Sequence, residues 1–160
     1  MGWVVYAKVS AKQITFEISH MNYLVNKRIP DAEAFLEHCS REQMKPRSVV
    51  FRQGNLSNHL YLILEGSVSV IVDDLDDPEQ EIVVSYLNPG DFFGEMGLFG
   101  EETRTANLIT RTACEFAVIS YEDFHEIRHQ FPDVLYALTT QVGQRLKNTT
   151  RKLADLAFID

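Results

Sequence analysis

Residues 91–106 read Asp-Phe-Phe-Gly-Glu-Met-Gly-Leu-Phe-Gly-Glu-Glu-Thr-Arg-Thr-Ala and place a glycine-rich turn, Glu95 and Arg104 where they could close around a small anion bearing hydroxyls. The turn glycines allow the backbone to approach a ligand and aim its N–H groups inward. Glu95 offers two acceptor oxygens to sugar hydroxyls, and Arg104 offers a planar, permanently charged fork to a phosphate. A phosphodiester carries one charge, so one desolvated guanidinium can neutralise it through charge-assisted bonds. A carboxylate beside a phosphate is repulsive unless it faces hydroxyl donors, so a sugar must separate the two groups. The opposing reading is an ordinary surface ion pair between Glu95 and Arg104 across a turn.

A second pattern competes for attention. His125-Glu126-Ile127-Arg128-His129 fits the H-E-x-x-H arrangement, in which two histidines on one helix face hold zinc and the glutamate acts as general base. Such a site needs a further protein ligand, yet no glutamate or histidine follows His129, and Pro132 ends the helix almost at once. The pair is therefore read as helix-surface residues, with a zinc hydrolase at His125 and His129 kept as the remote enzyme alternative. The acids Asp73, Asp74, Asp76 and Asp77 lack the glycine and terminal glutamate of a calcium loop and are read as a charged hairpin tip. Cys39 and Cys114 are expected to be buried free thiols, and no metal or cofactor is assigned.

Net charge limits the partners. Residues 1–30 carry four bases against one acid, so the formal −8 of the chain consists of +3 there and −11 on residues 31–160. That is a poor surface for a phosphate backbone, which requires clustered Lys and Arg. No apolar run approaches the roughly 20 residues that span a bilayer, and Lys8 and Lys12 interrupt the start too early for a secretory segment, so a cytoplasmic location is expected.

The positioning elements follow from periodicity. Asp31 can cap a helix whose apolar residues Ala32, Phe35, Leu36 and Cys39 keep helical spacing. Short strands are expected at 48–51, 59–65, 67–72, 81–87, 104–109 and 114–120. Leu60, Leu62 and Leu64 alternate, as do Val68, Val70 and Val72, giving a half-buried signature. Such closely spaced strands suggest a barrel, roll or sandwich. A short helix at 121–130 precedes a longer one that starts at Pro132. Its stripe of Leu135, Leu138, Val142, Leu146, Leu153 and Leu156, with Thr149 in the same seam, has no evident partner within one domain, and a second copy of the helix would supply one.

The 91–106 segment resembles the phosphate-binding cassette of the cyclic-nucleotide-binding domain, in the form carried by bacterial cyclic-AMP receptor proteins. The likeness covers roughly residues 31–160, including the Pro89-Gly90-Asp91-Phe92 turn, the stretch from Cys114 to Tyr121 and the final helix. It implies an α+β fold: an antiparallel β-roll, of the double-stranded β-helix or jelly-roll type, with short flanking helices and a long C-terminal dimerisation helix. The parts would be an N-terminal extension at 1–30 without a functional reading, the roll and its helices at 31–131, and the long helix with a hinge end at 132–160.

The resemblance also implies roles. Gly94 would lie against the ligand, Glu95 would hold the ribose 2′-hydroxyl, Arg104 would pair with the cyclic phosphate, and Thr105 would support it. Met96 and Ala106 fall within the same ligand-binding set. Thr149 and Thr150 would touch the base, Thr150 from the second subunit. The loop between Glu95 and Arg104 is one residue shorter than in the best-known member, and Thr103 stands where eukaryotic cassettes often have proline. The function expected is non-catalytic sensing of cyclic AMP, or of cyclic GMP, coupled to a homodimerising helix 132–157. The reading half of such a regulator would follow the hinge, so no specific DNA binding is expected from this chain alone, and no membrane partner. The alternative keeps the fold but fills the pocket with a cyclic dinucleotide or leaves it as a protein-interaction module.

Overall fold

A computed structural model describes residue 29 and residues 32–74, 76–77 and 79–157. The Asp31 cap, the 1–30 extension and the hinge end at 158–160 lie outside these residues, apart from Ile29. The chain runs α1 (Ala32–Leu36), β1 (Ser40–Met44), β2 (Val49–Phe51), β3 (His59–Glu65), β4 (Val68–Asp73), β5 (Glu81–Leu87) and β6 (Phe92–Phe93). A 3-10 turn (Glu95–Phe99) leads on to β7 (Asn107–Thr110), β8 (Cys114–Ser120), α2 (Tyr121–Ile127), a second 3-10 turn (Arg128–Gln130) and α3 (Pro132–Ala157). Among the described residues the strands form two four-stranded antiparallel sheets, ordered β1-β8-β3-β6 and β2-β7-β4-β5.

The first sheet is covered on both faces. Leu60, Leu62 and Leu64 of β3, Phe92 of β6, and Ala117 and Ile119 of β8 pack against α1, α2 and the start of α3. Their neighbours Ile63, Phe93, Cys114, Phe116 and Val118 point the other way, into the interior of the roll with Val68, Leu87 and Leu108 of the second sheet. Burial on both sides explains why β3 and β8 read as nearly continuous apolar runs, a pattern stricter alternation would miss. Each fully buried Leu, Ile, Val or Phe among them contributes about 1.5–3 kcal/mol.

Several boundaries depart from expectation. Strand β1, with the polar sequence SREQM, is built by pairing Ser40–Met44 against β8, which periodicity cannot reveal. Burial on β4 is not a simple alternation: Val68 is buried and Val70 half-buried against the interior cluster, yet Ile71 is buried as well, and the register shift at Val70/Ile71 is taken up on β5, where Val84 is passed over. The strand expected from residue 104 begins at Asn107, since Arg104 instead pairs its backbone with the loop before β3, its N–H donating to Asn55 O and its carbonyl accepting from Gly54 N, both at 2.8 Å. Helix α2 starts where Ser120 Oγ accepts the Asp123 N–H at 3.0 Å, with Glu122 and Asp123 favourably placed in the first turn.

The stripe on α3 divides in two. Leu138 is buried and Leu135 is packed against the same core, so the first turns of the helix find their partner in their own roll. Val142 is half-buried, and only Leu146, Leu153 and Leu156 stand open, at 67, 62 and 64% exposure. Docking through Val134, Ala137 and Leu138 therefore corrects the expectation that the whole stripe lacks a partner within the domain.

Both cysteines are free, Cys114 buried and Cys39 only half-buried. Burial nevertheless pushes the Cys39 thiol up to about 12, against a smaller opposing pull from Arg41. Alkylation by iodoacetamide at pH 8 should therefore be roughly a thousandfold slower at Cys39 in the folded protein than in denaturant, because the thiolate is the reactive form. Mass-spectrometric rates at that residue check this. The same shift stabilises the fold below the ordinary thiol pKa, and that contribution is lost as pH climbs toward 12.

Candidate ligand-binding site

The cassette begins at a backbone conformation that suits glycine. Gly94 has φ of +74° and precedes the 3-10 turn that carries Glu95 and Met96. A Cβ there would lie 2.6 Å from Arg104 Nη1 and 2.9 Å from His59 O. Gly94→Ala should thus cost about 2–3 kcal/mol, combining left-handed strain with overpacking, and displace the guanidinium. Urea denaturation checks the stability loss. Gly97 serves another purpose, since a Cβ on it would meet the Tyr121 ring at 2.3 Å.

Arg104 is 5% exposed. Its Nη1 donates to Gly94 O and to Tyr121 Oη, both at 3.2 Å, and its Nη2 donates to His59 O at 3.1 Å. The guanidinium lies over the Phe51 ring at 4.1 Å from its centroid, a favourable cation–π placement. Tyr121 is the hub of this cage. Its proton goes to the Gly94 carbonyl, which can only accept, and its oxygen receives Arg104, which can only donate; the Ser57 hydroxyl at 2.5 Å therefore donates to Tyr121. Among the described residues no carboxylate pairs with Arg104, and its Nε is buried without a hydrogen-bond partner. A buried cation with neutral partners alone and one orphaned donor carries a desolvation cost that a counter-charge would offset. Burial pushes the neighbouring Tyr61 phenol above its ordinary value, and Arg104 pulls it the opposite way.

Glu95 is buried as well, and the opposing ion-pair reading fails on its partner. Its Oε1 receives Arg145 Nη1 at 2.8 Å, from α3, and not Arg104. The second guanidinium nitrogen of Arg145 donates to the Phe92 carbonyl. One turn earlier on α3, Gln141 Oε1 accepts from Phe92 N and its Nε2 donates to Gly90 O, both at 2.8 Å. Arg145 was not among the residues expected from sequence. The signal available was its spacing, four residues before Thr149 and therefore on the same helix face.

The structure brings Gly94, Glu95 and Arg104 together. Met96 is 43% exposed beside them, and Thr105 is exposed and Ala106 half-buried just beyond Arg104. Thr149 and Thr150 are exposed on α3, where Thr150 Oγ1 bonds back to Leu146 O at 2.9 Å. The H-E-x-x-H pattern does not form a metal face: α2 ends at Ile127, so His129 sits in the 3-10 turn off the helix that carries His125, and both are exposed. Among the described residues no three His, Cys, Asp or Glu side chains cluster in a metal-binding arrangement. None of the helices there is long and apolar enough to cross a membrane.

A two-sheet roll holding an uncompensated arginine beside a glycine-headed turn defines a ligand-binding regulatory module, and the chain belongs to the cyclic nucleotide-binding domain family, whose model matches residues 41–131. It is similar to the cAMP-activated global transcriptional regulator Vfr of Pseudomonas aeruginosa, 39% identical over 137 residues, covering 83% of this chain and 63% of the relative. The cAMP-activated global transcriptional regulator CRP of Salmonella typhimurium is 42% identical over 132 residues, covering 82% of this chain and 62% of that protein. Among solved structures, the c-di-GMP-responsive global regulator CLP of Xanthomonas campestris matches with a TM-score of 0.73 and 43% identity, over 80% of this chain and 64% of that one. The chain thus spans a little over three fifths of the length of these relatives. The family is regulatory and not enzymatic.

Proposed function

We propose that this chain is a cyclic AMP sensor in which Arg104 takes the cyclic phosphate and Glu95 the ribose 2′-hydroxyl. The observation that carries the reading is the buried Arg104 guanidinium, held by two carbonyls and a phenol and lacking a counter-ion among the described residues. Glu95 keeps a carboxylate oxygen beyond the one bonded to Arg145, which is what a sugar hydroxyl requires. Gly94 and Met96 flank Glu95, and Thr105 and Ala106 follow Arg104, so the four would complete the site. The series Gln141, Arg145, Thr149 continues one face of α3 by steps of about 6 Å, which supports a base contact at Thr149. Thr150, about 100° further round the helix, would serve the site of a second copy. The open Leu146, Leu153 and Leu156 support a homodimer along α3, and the ligand would then bridge roll and helix.

Calorimetric titration with cyclic AMP, 2′-deoxy cyclic AMP, cyclic GMP and cyclic di-GMP tests this. Cyclic AMP should bind at one site per chain, and the 2′-deoxy ligand should bind about 10-fold or more weakly, the equivalent of one lost hydrogen bond to a charged group. Glu95→Gln should narrow that gap. Equal affinities for the two ligands would remove Glu95 from the ribose. A second reading, a cyclic dinucleotide in the same cassette, is favoured by the likeness to the c-di-GMP-responsive CLP; binding of cyclic di-GMP with no response to cyclic AMP would establish it instead.

A further inference from the structure

We infer that Gln141 is the positioning residue that ties α3 to the ligand cassette, by completing the open edge of the first sheet. Strand β6 is the last strand of that sheet, paired on one side with β3 through Tyr61 and Leu62. The polar groups on its other side must find partners outside a strand ladder, because unpaired backbone groups are costly when buried. Helix α3 supplies them with side chains four residues apart. The Gln141 amide takes Phe92 N–H and Gly90 C=O, and Arg145 takes Phe92 C=O. Of the two, Gln141 is the neutral amide that can donate and accept at once, which Phe92 N–H and Gly90 C=O together require. Gly94 and Glu95 follow two and three residues after Phe92, so the helix grips the chain immediately before the turn that places the carboxylate. Movement of either side must carry the other or break this clamp. The inference deepens the proposed function by naming the linkage between the cassette and α3.

The test uses hydrogen exchange by NMR on the full chain, with and without cyclic AMP. Gln141→Met keeps length and helix propensity but leaves Phe92 N–H and Gly90 C=O without their partner. In the ligand-free protein it should raise exchange at the Phe92 amide by about tenfold or more, the loss expected for an unpaired buried group. With cyclic AMP, protection in residues 90–106 should still rise, since Arg104 is untouched, while the change in residues 141–157 should fall to a small fraction of that in the natural protein. Gln141→Glu retains the acceptor for Phe92 N–H and should hold that amide near its natural exchange rate. Unchanged Phe92 exchange in Gln141→Met, or exchange in Gln141→Glu as fast as in Gln141→Met, would overturn the clamp. An undiminished response of α3 to ligand in Gln141→Met would overturn its coupling role. Failure of the natural protein to respond to cyclic AMP would instead strike the proposed ligand, and the ligand-free comparison would still decide the clamp.

Discussion

Replacing Arg104 with methionine should abolish stabilisation by cyclic AMP while leaving the ligand-free protein no less stable. In the natural protein, ligand at 100 times its dissociation constant adds about 2.7 kcal/mol to the unfolding free energy by mass action, a clear thermal shift. A two-pronged bond to phosphate is worth roughly 3–5 kcal/mol, taken as two charge-assisted hydrogen bonds, so its loss weakens binding by about 10²–10⁴-fold and removes the shift at the same concentration. The unliganded state behaves differently because, among the described residues, Arg104 there is a buried charge met by the neutral His59 O, Gly94 O and Tyr121 Oη and by the Phe51 and Tyr61 rings. An apolar side chain of similar length escapes the desolvation cost of that charge, and buried ions replaced this way are often neutral or stabilising. Arg104→Lys should recover part of the binding, since an ammonium supplies charge without the fork. Differential scanning fluorimetry of the three proteins decides it. A full ligand shift in Arg104→Met would remove Arg104 from the phosphate.

The second large effect concerns the end of α3. In the proposed homodimer, Leu146→Glu should raise the dissociation constant by about 10²–10⁴-fold, because a twofold interface loses the side chain twice and each buried apolar position contributes about 1.5–3 kcal/mol. The isolated protomer should not notice, as Leu146 is 67% exposed within it. Leu138→Glu supplies the contrast. Leu138 belongs to the same stripe but is 1% exposed in the core of the roll, so an unpaired charge there should unfold the domain and not merely divide the dimer. Sedimentation equilibrium with circular dichroism separates the two outcomes. A natural protein that stays monomeric at high concentration would contradict the seam.

Much of this molecule was legible in sequence because its signals are local. Strands β3, β5 and β8 fall at the expected residues, since runs of apolar and β-branched side chains bounded by turn residues report their own backbone preference. Helix α3 begins at the expected Pro132. The cassette was legible for a similar reason: Gly94, Glu95 and Arg104 lie within eleven consecutive residues, and their types alone state the chemistry they can do.

Tertiary structure decided the rest, because it depends on partners distant in the chain. Polar β1 is a strand only because β8 lies beside it, and the Val70–Ile71 register shift exists only against β5. Whether a leucine on α3 is core or open surface follows from where the helix leaves the roll, which no stripe records. Residue type made Glu95 an acceptor and Arg104 a cation. That they do not pair with each other, that Arg145 from fifty residues away holds Glu95, and that Arg104 is buried without a counter-charge among the described residues are consequences of packing. The sequence by itself determined which groups could meet a charged sugar phosphate; the fold alone determined which of them is left unsatisfied, since only burial makes an unpaired charge costly.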